Sequence, residues 1–341
     1  MLLKYLISLA YACCLLRGEP EYRVFRLEGN AQGTRYHITY FSTDSLVSMA
    51  EISGVFNSLD SSLSLYKPYS LINKFNQSQK GIAVDAHLKN VVGKSVEVYK
   101  STRGEFDVTV KPLVQAWGFG ASKPATPVNA ASIQKALACV GSLRFSLKGD
   151  SLVKSIPCLE IDLNGIAQGY SVDFICGLLE QKGIDNYMVE IGGELRVKGL
   201  NKNTNQNFRI GIESPSDNFG TPLKKIVLLK SGALTTSGNY RKYRYEGGKK
   251  ISHLINPKTG YPIKNEMISV TVFAKDAITA DGFDNAFMGM GLTQTLRFLK
   301  NRKDMGAYLI YQKPDGSIAD MVAGTFPQIL KLESNEQTSF Y

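Results

Sequence analysis

The stretch TADGFDNAFMGMG, Thr279 to Gly291, is small and apolar apart from Asp281, Asp284 and Asn285. Positions i, i+3 and i+4 project from one face of an α-helix, so these three oxygen-bearing side chains converge while Phe283, Phe287, Met288 and Met290 can meet a core. Two meanings are open. Asp281 as N-cap with Asp284 at N3 has the form of a capping box, and acids near a helix start suit the macrodipole. Caps far outnumber metal sites, so on these residues alone capping comes first. The other meaning is a hard-cation site, since Mg²⁺ takes oxygen ligands and usually draws only one or two carboxylates from a protein.

Working outward, ISVTVFA before this segment and GAYLIYQ after it read as strands, as do YMVEIGGELRVKG, FRIGIE and KKIVLLK, with a further helix after Gly165. Upstream, YRVFRLEGNAQGTRYHITYFS alternates as two strands around Gly29 to Gly33. Leu46, Met49, Ile52, Val55, Phe56, Leu59 and Leu63 keep helical spacing. LSLYKPYSLINKFN reads as a loop and DAHLKNVVGKSVEVYKST as an amphipathic helix. NAASIQKALACVG reads as a helix capped by Asn129 and stopped at Gly141. Helices and strands intermix without a regular βαβ rhythm, which predicts an α+β architecture. No internal repeat or low-complexity linker divides the 341 residues, so they read as one elaborated domain.

At 43% hydrophobic and 21% charged, the composition is that of an ordinary globular protein. The formal charge of +10 favours an anionic partner. Its basic residues are scattered, with small knots at Lys224-Lys225, Arg241 to Arg244 and Lys249-Lys250, and no basic run with interleaved aromatics marks a nucleic-acid surface. MLLKYLISLAYACC, with Ala10-Tyr11-Ala12 before Cys13, has the form of an export signal and is too short to span a membrane as a mature helix. Cys at the cleavage point also resembles a bacterial lipoprotein signal, in which Cys13 would be acylated. Residues 1–19 are therefore set apart from a domain at 20–332 and a tail at 333–341. Cys139, Cys158 and Cys176 have no C-x-x-C spacing, so they imply neither a disulfide framework nor a zinc site and read as buried small side chains.

Neither G-x-G-x-x-G nor G-x-x-x-x-G-K-[ST] opens a helix. The three histidines are His37, in a strand pattern, His87, on a helix pattern, and His253, in the turn-rich ISHLINPKTGYP. Four segments set polar residues beside glycines, a pattern of backbone approaching a ligand: RGEFDVTVKPLVQAWGFG, IDLNGIAQGYSVD, VEIGGELRVKG and LTTSGNYRKY. In IDLNGIAQGYSVD a strand is expected to end at Asp162 and a helix to begin near Gln168, where free amides suit phosphate.

In this order, from AQGTRYHI to ADGFDNAFMGMG and beyond, these segments resemble the FAD:protein FMN transferase family, also called ApbE. The resemblance implies an α+β domain of mixed, largely antiparallel sheets with packed helices. It also implies transfer of FMN from FAD, with Mg²⁺ at the pyrophosphate, to a Thr or Ser of an exported flavoprotein, and release of AMP. For the metal it points to the Gly165 carbonyl, Asp281, Asp284 and Asn285, with Asn285 where the family usually has Thr and Asp284 where a small residue is frequent. For FAD it points to Gln32, Tyr66, Glu105, Phe106, Asp107, Asp162, Gln168, Ser237, Leu254 and Ile255. Gln32 stands in place of a common Met and Gln168 in place of a common Lys. Asn239 and Asn256 replace Asp in two family segments. With the resemblance in view, metal binding becomes the favoured meaning of the opening stretch.

Tyr66 and Phe106 can stack on a flat ring, and Asp162 can accept from its polar groups. Imidazole titrates near working pH, which makes His253 the candidate base for the incoming hydroxyl. The other possibility is that Asp281 or a water at the metal takes the proton while His253 orients phosphate. Three further readings stay open: an FAD pyrophosphatase yielding AMP and FMN, a non-catalytic flavin-binding lipoprotein, and a basic nucleic-acid binder resting on charge alone. The expected location is the periplasmic side of a bacterial inner membrane, through a lipid anchor, with a respiratory ion-pump subunit among the implied acceptors.

Overall fold

Along Met305–Gln312, Met305, Ala307 and Leu309 join one apolar cluster while Tyr308 and Ile310 join another. This period of two lets a strand bury both faces, and it places the strand at the centre of a two-sided sheet. The computed structural model describes residues 21–120, 128–213, 225–240, 243–246 and 249–330. The expected signal at 1–19 with Cys13, and the tail at 333–341, lie outside the described residues.

The strands are β1 (Arg23–Ala31), β2 (Thr34–Ser42), β3 (Gly81–Ala83), β4 (Phe145–Lys148), β5 (Ser151–Lys154), β6 (Tyr187–Ile191), β7 (Glu194–Lys198), β8 (Phe208–Ile212) and β9 (Lys225–Leu229). They continue with β10 (Ser231–Gly238), β11 (Tyr243–Glu246), β12 (Lys249–Ser252), β13 (Met267–Ala274), β14 (Met305–Gln312) and β15 (Ile318–Gly324). The α-helices are α1 (Met49–Leu63), α2 (Leu71–Gln77), α3 (Ala86–Ser101), α4 (Lys111–Ala116), α5 (Ala130–Leu137), α6 (Ala167–Gln181) and α7 (Ala277–Leu299). The main sheet has the order β1-β2-β6-β7-β10-β13-β14-β15, and each of its ladders is antiparallel. Even β13 and β14, separated in sequence by the long helix α7, pair antiparallel. The α+β expectation holds.

One face of the sheet is covered by helices. Residues of α6 and α1 pack on β2 and β6, and those of α3 and α7 pack on β13 and β14. The other face meets the β8–β9 hairpin and Phe326. A smaller cluster forms around Leu113, Trp117, Ile133 and Ile255, where the Trp117 indole N–H donates to the Gly260 carbonyl at 2.7 Å.

Several expectations need correction. LSLYKPYSLINKFN contains α2, because Ser70 caps it and buries Ile72 and Phe75 completely. The segment ending at Asp162 belongs to no strand ladder. The Asn76 side chain takes the place of a partner strand by accepting from Ile161 N–H and donating to its carbonyl. Helix α5 ends at Leu137, before Gly141. Cys139 and Cys158 form a disulfide with Cα atoms 5.5 Å apart, and only Cys176 keeps the expected buried thiol role. A 19-residue separation carries no spacing signature, so the pairing depends on how β4 and β5 return to α5.

Candidate active site

Two helices meet at their N-termini, and glycine permits it. Gly169, in the first turn of α6, lies so close to α7 that a Cβ there would collide with the Ala277 carbonyl and stand 2.8 Å from Asp281 Cβ. Helix α7 begins four residues before Asp281, with Asp276 as N-cap accepting from Thr279 N–H at 3.0 Å. The expected Asp281 cap therefore belongs to Asp276, because the local start signal lies one turn upstream. Asp281 is 3% exposed, and its Oδ2 accepts from Gly169 N–H at 2.8 Å. It caps the neighbouring helix, whose own N-cap position, Ile166, has no side chain able to do so.

Burial pushes the Asp281 carboxyl up to about 7; the Gly169 amide opposes this and the charge of Asp173 adds to it. Beside it, the Asn285 amide nitrogen donates towards three oxygens: Gly165 O at 3.3 Å, Asp281 O at 3.1 Å and Asp284 Oδ1 at 2.9 Å. An amide group has only two protons for these three acceptors, so the oxygens form a locally electronegative nest. Ser237, on β10, donates from its hydroxyl to Asn285 Oδ1 at 3.2 Å. Two residues earlier on the same face, the Thr235 hydroxyl is fully buried and has no hydrogen-bond partner among the described residues. No three His, Cys, Asp or Glu side chains converge among the described residues, so a cation here would take a mixed set with backbone and amide oxygens. Such a donor set suits a hard cation.

The four residues of the expected metal group, Gly165, Asp281, Asp284 and Asn285, thus lie together, with Asp281 contributing its main-chain carbonyl to the nest while its carboxylate holds Gly169, and with the Asn285 amide oxygen turned to Ser237. Phe106 joins it, its ring 3.5 Å from where a Gly165 Cβ would lie. Glu105 lies against Gly289 of α7 and takes a 2.6 Å ion pair from Lys258. Asp107 is occupied inside the fold: its carboxylate accepts from the Thr109 amide and hydroxyl and from the Ser142 amide and hydroxyl. Asp162 turns back to accept from Asn164 N–H at 2.9 Å. Gln168, in the first turn of α6, donates to Ile191 O at 2.9 Å beside the Gly192 turn. Gln32, in the left-handed region at φ 52°, donates to Ser171 at 2.9 Å. A depression of about 480 Å³ opens there, lined by Asn30 to Arg35.

Leu254 and Ile255 divide, Leu254 packing on the main core and Ile255 on the smaller cluster. His253 lies beside the Phe119 ring, centroids 6.4 Å apart. Tyr66 stands apart at 66% exposure on a loop whose carbonyls at Ser64, Leu65 and Lys67 are gathered by the Asn73 amide. Asp173 carries no motif in the sequence. It accepts from Ala277 and Ile278 N–H at 3.0 and 2.8 Å, returning to α7 the cap that Asp281 gives α6. The only sequence signal for it is its place one helical turn after Gly169.

The chain is similar to known proteins over most of its length. The ApbE family model matches residues 32–309. An FAD:protein FMN transferase of Vibrio cholerae is 37% identical over 294 residues, covering 84% of this chain and 87% of that protein. Its Haemophilus influenzae counterpart is 33% identical over 330 residues, with 93% and 95% covered. The solved flavin transferase ApbE from Vibrio cholerae superimposes with a TM-score of 0.81 at 33% identity, over 91% of this chain and 100% of that one. The apo Pseudomonas stutzeri flavinyl transferase ApbE gives 0.80 at 29% identity, over 90% and 97%.

Proposed function

The chain belongs to the ApbE family and is a flavin transferase, and from this premise we propose that it transfers FMN from FAD to a Thr or Ser hydroxyl of an exported flavoprotein with the help of Mg²⁺. The observation that carries the metal assignment is the convergence of Gly165 O, Asp281 O and Asp284 Oδ1 on one amide group. Gly165, Asp281, Asp284 and Asn285 would hold the ion. When bound, Mg²⁺ supplies charge neutralisation and orientation at the pyrophosphate.

The chain's own residues do the rest. Phe106, next to Gly165, and the exposed Tyr66 offer flat faces to the flavin or adenine ring. Gln32 and Gln168 line the end of the site where the β1–β2 and β6–β7 turns approach α6. Ser237 lies at Asn285 on the phosphate side from β10, and Leu254 and Ile255, each packed in its own cluster, follow His253 in the chain. Asp107 holds the loop that carries Phe106, and Lys258 anchors Glu105. The acceptor oxygen forms a bond to the FMN phosphorus, the bond from that phosphorus to the bridging oxygen breaks, and AMP leaves with the bridging oxygen. His253 receives the acceptor's hydroxyl proton.

Incubation with FAD, Mg²⁺ and an exported flavoprotein domain, followed by mass analysis, tests this reading. FMN attached to the domain supports it; free FMN with AMP makes the protein a pyrophosphatase, and unchanged FAD refutes both. For location, we propose export and anchoring through acylated Cys13. Cys13→Ser should release the protein from the membrane fraction, and retention there would refute the lipid anchor.

A further inference from the structure

Asp173 is a carboxylate side chain, 13% exposed, with no place among the expected ligands, and it connects three elements of the fold. Its two oxygens accept from Ala277 and Ile278 N–H, the first two amides of α7, while Asp276 serves the third. Arg196 on β7 donates to Asp173 Oδ1 at 3.0 Å and to Glu180 at 3.3 Å, which binds Asp173 to the sheet as well. Four residues beyond Ala277 stands Asp281, whose carboxylate returns to Gly169 on the helix that carries Asp173. Each helix thus caps the other, and the absence of a Cβ at Gly169 brings the two starts into contact.

The two bonds differ in what they fix. Asp281 has both a cap to make and, on the metal reading above, an ion to hold. Asp173 has only the geometry of α7 to set, since its oxygens point to main-chain amides and to Arg196. Without Asp173, the first turn of α7 would lose two amide partners and the side chain that ties it to β7. The placement of the Asp281 carboxylate relative to Gly165 and Asn285 would then rest on the Asp276 cap, the Asp281–Gly169 bond and packing. We propose that Asp173, held by Arg196, is a positioning residue for the metal-binding carboxylate Asp281. The inference rests on the metal reading, and the experiment separates the two.

The experiment measures Mn²⁺ binding to the full chain by electron paramagnetic resonance, and the Mg²⁺ dependence of FMN transfer alongside it. Asp173→Ala is expected to weaken Mn²⁺ binding about tenfold or more, as loss of a partner that orients a ligand commonly does. The Mg²⁺ concentration for half-maximal transfer should rise while kcat recovers at saturation. Asp173→Asn keeps an acceptor oxygen and should lie between, and it carries the test if the alanine variant does not fold. Asp85→Ala removes the cap that Leu88 N–H meets at the start of α3, and should lower Tm without changing Mn²⁺ binding. Unchanged Mn²⁺ affinity in both Asp173 variants overturns the positioning role. Failure of the unsubstituted chain to bind Mn²⁺ overturns the metal reading itself.

Discussion

Asp281 Oδ2 accepts from the Gly169 amide at 2.8 Å across the α6–α7 contact, so a carboxylate with the sequence marks of an N-cap caps a helix more than a hundred residues away. This relationship makes Gly169 as important as the acid. Gly169→Ala would set a Cβ against the Ala277 carbonyl, which is main chain and cannot rotate aside. Overpacking of this kind costs about 1–3 kcal/mol. Urea unfolding should show a loss of that size, and transfer activity should fall because the helix starts that form the site are pushed apart.

The raised Asp281 carboxyl makes a prediction for metal-free protein. Its folded-state value of about 7 lies above the ordinary 3.8, so between these values the folded state keeps a proton that the unfolded chain has lost. Stability should fall as pH rises through this window and level off above it, by on the order of 2–4 kcal/mol. Asp281→Asn keeps an acceptor for Gly169 but has no charge to bury, so its unfolding free energy in EDTA should be flatter between pH 4.5 and 7.5. An identical slope in both proteins would assign the titration to another group.

His253→Ala should lower the transfer rate by roughly 10²-fold or more and leave FAD affinity nearly unchanged, as removal of a general base does. Stopped-flow FAD binding and single-turnover transfer distinguish the outcomes. A parallel loss of binding would make His253 a phosphate-orienting group. A wild-type rate would move the search for the base to Asp281 or Asp284.

The Cys139–Cys158 disulfide closes a loop whose ends differ by 19 positions, beside the Ser142 contacts that hold Asp107. Chain entropy for a loop of this length gives about 3 kcal/mol of stabilisation. Cys139→Ser should therefore lower stability by about that amount, and a reductant should lower wild type to the same level. Mass analysis of alkylated protein before and after reduction gives a direct check of the bond.

Periodicity and spacing alone made much of this protein legible. Strand patterns marked β1, β2, β6, β7, β13 and β14 of the main sheet but not β10 or β15, and three-to-four spacing marked α1, α3 and α7, because buried faces repeat every second residue in strands and every 3.6 in helices. The same spacing brought Asp281, Asp284 and Asn285 to one face, and the ordered glycine-rich segments pointed to the family. Local rules failed where the deciding partner is distant in sequence. The cap of α6 comes from Asp281, the partner of the Ile161 main chain is the Asn76 side chain, and Cys139 meets Cys158 only after β4 and β5 have turned back. Asp107, which reads as a ligand residue, is occupied by Thr109 two residues on and by Ser142 from a distant segment. A hydrogen-bonding side chain has the same local signature whatever it bonds to; which donor it meets is decided by the packing of helices and sheet, and at α6 and α7 by the one contact that Gly169 makes close enough.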